Sequence, residues 1–589
     1  MMRNFGRLLL CTFVVLRLIS AAQAQASSAA SSAPHLAKRG SATQLLVDGK
    51  PFLGLAGELH NSSSSSVEYM APIWPKLAAI HVNLVLTPVS WQQIEPEEGK
   101  FNFTVLDGVL KQARASGLHV GLIWFASWKN GVSTYPPAWV KSNVERFPRA
   151  GNEAGQSLEI LSTLSTASRD ADAHAFAALM RHIKEVDSQN HTVVIIQVEN
   201  EVGVLEDTRD RSPMANDAFN GPVPKDLMDY LQQHKDTLAP EFRKVWEDAG
   251  AKTSGTWEEV FGAGKPKGFQ IPVRTLSPPM TTEEHETEWR NLHWPVDEIF
   301  MAWNYSRYVN YVTAAGKKEY NIPMYVNAWL QQRDHAWPGT YPSGGPLPQV
   351  LDVWRAGGNA LDMHSPDLYV PEFDELCARY TRNGNPFFIP ESAGDDRGAA
   401  NTFTAFGSYN GIGYSPFGIE NPNIIATDSA IAKVYEFLSR ISPMILEHQA
   451  SGTIAGITLD KTHLTREVKL GGYAITFGFA RPWGVAQNPD YAGAVVMQTG
   501  EGEYVVAGKA VTVSFSVDRS PVASSSVGPS ADPKGQMTTG LASVQELVFS
   551  GGKWVPGRLL NGDEIMSGKG LRLSGDNYVV QKVKLYQYR

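Results

Sequence analysis

VVIIQVENEVG, from Val193 to Gly203, opens with a run of apolar residues and ends in Glu199-Asn200-Glu201. An uninterrupted apolar run reads as a strand buried on both faces, the pattern of a parallel sheet covered by helices. Two carboxylates and an amide at its end are expensive to desolvate, so their placement calls for a use. In an α/β barrel the C-terminal ends of the strands carry the chemistry. A second apolar strand ends in the same way, at Pro390-Glu391.

Working outward, short apolar strands alternate with helical segments from about residue 50 to 440, which predicts an α/β fold, a (β/α)8 TIM barrel. The expected strands are Phe52–Gly57, Val82–Thr87, His119–Phe125, Val193–Val198, Met324–Ala328, Ala360–Ser365, Phe387–Pro390 and Gly413–Phe417. Helices are expected at Pro72–Ile80, Leu106–Ser116, Asp172–Val186, Leu227–Gly250 and Arg307–Lys317. From Gly452 onward the pattern becomes short alternating strands with Gly and Asp turns, which reads as a C-terminal β-sandwich domain. The division predicted is a signal peptide at 1–24, a flexible tether at 25–45, a barrel at 46–445 with an elaboration at about 205–295, and a sandwich at 446–589.

The chain of 589 residues is long enough for more than one core. Its net charge of -8 disfavours nucleic acid as a partner. Arg3 and Arg7 precede an apolar run from Leu8 to Ile19, and Ala22-Gln23-Ala24 offers a small-residue cleavage site, so export to the periplasm or beyond is expected. No later stretch is apolar for long enough to insert stably in a membrane. Cys11 falls in the signal, which leaves Cys377 as a buried free thiol. No CxxC or HExxH spacing occurs, so neither a metal nor another cofactor is expected.

Glu201 and Glu391 each follow a buried strand, and as the fourth and seventh strands of one barrel these strands point both carboxylates into one mouth. Glycosidic cleavage needs such a pair: one protonated, to release the leaving oxygen, and one ionised, to attack the anomeric carbon or activate water. Asn200 can donate to a sugar hydroxyl, and Glu199 is expected in a salt bridge of the barrel wall. Further candidates at strand ends are Glu58, His60 and Asn61 after the first strand, Ser127 and Trp128 after the third, Trp329 after the fifth and Tyr369 after the sixth. The Tyr369 hydroxyl would hydrogen-bond the nucleophile.

The segment Val82–Phe103 (VNLVLTPVSWQQIEPEEGKFNF), IQVENE ending at Glu201, PESAG from Pro390 to Gly394 and GYSPFG from Gly413 to Gly418 together resemble glycoside hydrolase family 35, β-galactosidases of the (β/α)8 retaining clan. The branch it resembles is bacterial, with a C-terminal β-domain. The resemblance implies Glu201 as general acid/base, Asn200 as sugar-binding amide and Glu391 as nucleophile. It implies an exo-acting enzyme that releases terminal β-galactose, with retained configuration, from oligosaccharides or plant polysaccharide side chains. One departure stands out. Where many members carry Gly-Pro-Tyr-Ile-Cys-Ala-Glu-Trp on strand three, this chain reads Gly121-Leu122-Ile123-Trp124-Phe125-Ala126-Ser127-Trp128, so Ser127 replaces a galactose-gripping Glu. Either Glu58 takes over that contact or the sugar selectivity differs. The rival expectations are a retaining β-glycosidase of the clan with glucoside, xyloside or fucoside selectivity, and a non-catalytic carbohydrate-binding envelope protein. The oligomeric state is not legible in the sequence.

Overall fold

The structure, a computed structural model, describes residues 33–271, 291–333, 335–481, 487–518, 537–575 and 577–589. The expected signal peptide, residues 25–32 of the tether and residues 272–290 of the elaboration lie outside the described residues. The rest of the tether expectation is corrected. β1 (His35–Arg39), β2 (Ala42–Val47) and β3 (Lys50–Phe52) form a small antiparallel sheet. Leu45 and Val47 are buried in one apolar cluster with barrel-strand residues such as Ala56, Leu84, Ile195, Tyr325, Met363 and Phe388. Gln44 donates to the Leu446 carbonyl at 2.7 Å, which ties the sheet to the last barrel helix. Burial of these side chains offsets the entropy of ordering the segment.

The barrel strands follow: β4 (Gly54–Glu58), β5 (Leu84–Ser90) and β6 (His119–Lys129), then an outlying hairpin of β7 (Arg149–Gly151) and β8 (Ser157–Leu161). β9 (Val193–Asn200), β10 (Met324–Ala328), β11 (Met363–Leu368), β12 (Phe388–Ser392) and β13 (Gly413–Pro416) complete a closed ring in which β13 pairs with β4. All eight expected barrel strands are present, and most run further toward the catalytic face than their apolar runs. Helices cover the outside. Thr166–Asp187 is capped by Ser165, which accepts from the Ser168 N–H. It packs on Pro295–Glu319, where a Cβ on Gly316 would come within 2.2 Å of the Phe176 ring, so only glycine permits the approach.

The elaboration between β9 and β10 departs from expectation in one respect. Leu227–Gly250 is two helices, Lys225–Gln233 and Pro240–Asp248, because Pro240 takes the first helical turn and cannot continue the one before. The expected boundary at 445/446 also moves. The last barrel helix runs from Ala430 to Ser451 and stops on Gly452 at φ +68.

Among the described residues ten antiparallel strands follow: β14 (Ile454–Leu459), β15 (Thr465–Leu470), β16 (Tyr473–Phe479), β17 (Ala492–Gly500), β18 (Glu503–Lys509), β19 (Val511–Val517), β20 (Thr538–Ser550), β21 (Lys553–Leu560), β22 (Leu571–Leu573) and β23 (Val579–Tyr588). They form a six-stranded and a four-stranded sheet. The sheets share an apolar core that includes Val496 and Val506 from one and Ile475, Phe477 and Val513 from the other. The barrel helix Asp396–Ser408 lies against β14 and β17, and Phe437 stacks on Tyr578 at 4.9 Å. No helix among the described residues is long and apolar enough to cross a membrane.

Candidate active site

The site grows out of an irregularity between β6 and β9. Their register runs Trp124 to Val198 and then jumps to Lys129 opposite Asn200. Within this bulge the N–H groups of Ser127 and Trp128 donate to the Glu199 carboxyl, at 3.2 and 2.8 Å. The backbone answers with left-handed conformations on both sides of Asn200, φ +63 at Glu199 and +46 at Glu201. Such residues cost roughly 1–3 kcal/mol each and persist where the surroundings over-determine them.

Glu199 consequently faces the back of the barrel wall. Its carboxyl is hydrogen-bonded to that of Asp172, and burial pushes it well above the usual carboxylate range, with the Asp172 charge adding to the effect. The expected salt bridge is therefore a pair of acids sharing a proton. Asp172 accepts further from Trp124 Nε1 at 2.9 Å and Ser127 Oγ at 2.5 Å.

Glu201 faces the cavity, a space of about 460 Å3 at the mouth of the barrel. Its N–H donates to Asn327 Oδ1 at 2.9 Å, and Asn130 Nδ2 donates to its carboxylate. Burial, and then the charge of Glu391, push its pKa up to about 7. Glu391 lies across the cavity. Tyr369 donates to its Oε2 at 2.8 Å, and Asn200 Nδ2 is 3.4 Å from its Oε1.

A third acid joins them. Asp367 accepts from Asn327 Nδ2 at 2.8 Å and shares a hydrogen bond with Glu201. Its Oδ1 is buried and meets no protein donor, so the proton between the two carboxyls has to come from one of them. Burial, with the charge of Glu391 next, raises Asp367 well above its ordinary value. One oxygen from each of Glu201, Asp367 and Glu391 lies within 4.8 Å of the other two. Three carboxylates at that spacing would also suit a hard cation. Lys129, on the cavity wall, is the basic counterweight; its charge lowers the pKa of Glu201.

The structure brings Asn61, Trp329 and Tyr369 to the cavity wall beside Glu201 and Glu391. Asn200 is fully buried beneath Glu391. Glu58 is also fully buried and off the wall, and both its oxygens lack a donor. Burial and the charge of Glu391 raise its pKa well above normal, which keeps it a neutral acid. His60 does not reach the cavity, because Glu420 holds it at 3.1 Å and Phe417 packs against its ring. Ser127 and Trp128 are corrections. The Ser127 hydroxyl is spent on Asp172 and on Tyr308 at 2.8 Å, and Trp128 is buried between Tyr305 and Tyr308. The bulge turns both away from the mouth. Lys129, Asn130 and Asp367 went unread, since the third and sixth strands were expected to stop before them; Asn327 went unread inside the expected fifth strand, where a lone amide among apolar residues was the available signal.

Residues 67–373, just over half of the chain, match the family described as beta-galactosidase, glycoside hydrolase family 42. The chain belongs to family 42. Residues 431–572 match a domain of unknown function, DUF5597, which spans most of the last barrel helix and the sandwich. A beta-galactosidase of Xanthomonas manihotis is 31% identical over 177 residues, 28% of this chain and 26% of that protein. The matched part thus spans about a quarter of that curated relative's length. Among solved structures, the beta-galactosidase of Rahnella sp. R3 aligns at 16% identity and a TM-score of 0.42, covering 69% of this chain and 57% of that one. That of Bacillus circulans sp. alkalophilus aligns at 13% and 0.43, covering 67% and 57%. Family 42 replaces the family 35 expectation. An Asn-Glu pair at the fourth strand is common to the clan and does not separate its families. The departure at Ser127 loses its weight as well, because it was measured against the family 35 pattern and its hydroxyl faces away from the cavity.

Proposed function

We propose that this family 42 chain is a retaining exo-β-galactosidase. It would release terminal β-D-galactosyl residues from oligosaccharides or plant polysaccharide side chains, acting outside the cytoplasm after export. The observation that carries the reading is the Glu201–Glu391 pair, with carboxylate oxygens within 4.8 Å in one cavity. Retaining enzymes set their two carboxyl groups about 5–5.5 Å apart, whereas inverting enzymes need about 6.5–9.5 Å to fit a water.

The two environments divide the labour. Glu201, raised to about 7, carries a proton for the glycosidic oxygen near neutral pH. Glu391, held by Tyr369 and Asn200, is aimed to attack the anomeric carbon. Attack forms a glycosyl ester on Glu391 as the C–O bond breaks and the leaving oxygen takes the Glu201 proton. Water, deprotonated by Glu201, then attacks the same carbon from the opposite side and frees both the sugar and Glu391. Two inversions leave the β configuration in place. Trp329 offers an aromatic face to the sugar at the cavity wall.

A panel of nitrophenyl β-glycosides tests the reading. The β-galactoside should be turned over best, with β-galactose as the first product seen by proton NMR. Better turnover of the glucoside, xyloside or fucoside would transfer the chain to another selectivity within the clan.

A further inference from the structure

The catalytic cavity draws its wall from residues in or just after seven of the eight barrel strands, and none comes from β5. The mouth around β5 instead opens on a second cleft of about 360 Å3, lined by residues such as Asn61, Ser62, Ser90, Gln92, Gln93 and Tyr135. Asn61 lines both spaces, so the cleft adjoins the catalytic cavity at that residue. The Asn61 side-chain oxygen is buried and has no hydrogen-bond partner among the described residues.

The chemistry of this lining is uniform. Among the described residues, none that lines it is charged. It offers hydroxyls, side-chain amides and one half-buried phenol ring, braced by Phe125 at 4.8 Å. Part of the serine run Ser62–Ser66 is spent on the fold: Ser63 donates to Glu420 and Ser64 to the Pro88 carbonyl, each at 2.6 Å. The hydroxyls of Ser62, Ser90 and Tyr135 and the amide of Gln92 make no hydrogen bond to another described residue. A neutral, hydroxyl-rich ligand with a flat apolar face matches that combination. Ions and acidic or basic ligands would find no counter-charge.

We propose that this cleft is a saccharide subsite on the leaving-group side of the scissile bond, holding a neutral sugar unit while galactose occupies the catalytic cavity. The proposal rests on the galactosidase reading and deepens it, by making an oligosaccharide rather than a lone galactoside the preferred substrate. The linkage would pass Asn61, whose free oxygen accepts from a hydroxyl beside it. Tyr135 would take the face of the second ring.

The test compares β-galactosyl fluoride, which has no second sugar, with a β-linked galactotriose. Gln92→Ala removes donors from an exposed position, and Ser62→Trp fills the cleft from another. A neutral hydrogen bond contributes about 0.5–1.5 kcal/mol, so the ratio of kcat/KM for galactotriose to that for the fluoride should fall roughly threefold to tenfold in Gln92→Ala. Ser62→Trp should lower it further. A ratio equal to that of the unmutated protein in both variants overturns the subsite while leaving the galactosidase reading intact. If the unmutated protein hydrolyses neither substrate, that reading fails. The subsite is then decided by calorimetry with galactotriose: binding that Ser62→Trp weakens at least tenfold sustains it, and absence of binding, or equal binding by both proteins, overturns it.

Discussion

At neutral pH Glu201 stands at the midpoint of its titration, so the fraction able to donate a proton falls steeply just above that point. Activity on an unactivated β-galactoside should therefore decline above about pH 7, read as the alkaline limb of kcat/KM. Asp367 sets where the limb lies. As a proton donor to Glu201 it lowers the Glu201 pKa, so Asp367→Ala should move the limb to higher pH. A move to lower pH would mean that Asp367 carries negative charge. Tyr369 acts on the other carboxylate. A hydrogen bond to a charged group contributes about 1.5–3 kcal/mol, so Tyr369→Phe should lower kcat roughly 10- to 100-fold with a small change in KM. Of these residues, Glu201, Glu391 and Asn200 were legible because they close apolar runs, and Tyr369 because it stands just past the expected sixth strand. Asp367 and Lys129 were not, since a strand's last polar residues carry no alternation that separates them from a loop. Ser127 and Trp128 misled for a related reason: the bulge that turns them outward depends on Glu199 supplying the hydrogen bonds a partner strand would give.

At the scale of elements, the barrel closes at one end and works at the other. Leu45 belongs to the apolar cluster built on the lower halves of the strands, while the carboxylates project from their upper ends. Leu45→Ala should cost about 2–5 kcal/mol in a denaturant titration. It should leave kcat on a galactoside near its original value; a parallel loss of kcat would place the small N-terminal sheet in contact with the chemistry. The sequence does carry this sheet in the short alternation of Ala42–Val47, but the Ala- and Ser-rich stretch ahead of it masks the signal. The C-terminal strands β15 and β21 carry a weak strand signal in the sequence because they are partly exposed and contain charged residues, as TREVKL at Thr465–Leu470 illustrates. Pro240 announced the break in its helix openly, and the apolar spacing on either side outweighed it.

Across the whole molecule, several carboxyls are buried with raised pKa values, and the fold must keep them protonated. Glu298, hydrogen-bonded by Tyr341 at 2.9 Å and Gln349 at 3.2 Å, is pushed up to about 7 by burial. A carboxyl raised in the folded state contributes stability that is fully present below its unfolded pKa of 4.5. That contribution is lost as pH climbs to about 7, and amounts to about 3 kcal/mol. The melting temperature should therefore drop between pH 5 and pH 8, and Glu298→Gln, which keeps the shape without the ionisation, should drop less. An equal drop in both proteins would show that Glu298 is not the group responsible.

The central claim is that Glu391 forms a covalent bond to the sugar. A 2-deoxy-2-fluoro-β-galactoside with a good leaving group should inactivate the enzyme with one label per chain, and mass spectrometry of the digest should find that label on the peptide carrying Glu391. Label on another carboxylate, or α-galactose as the first product of an enzyme that turns over β-galactosides, would contradict the account.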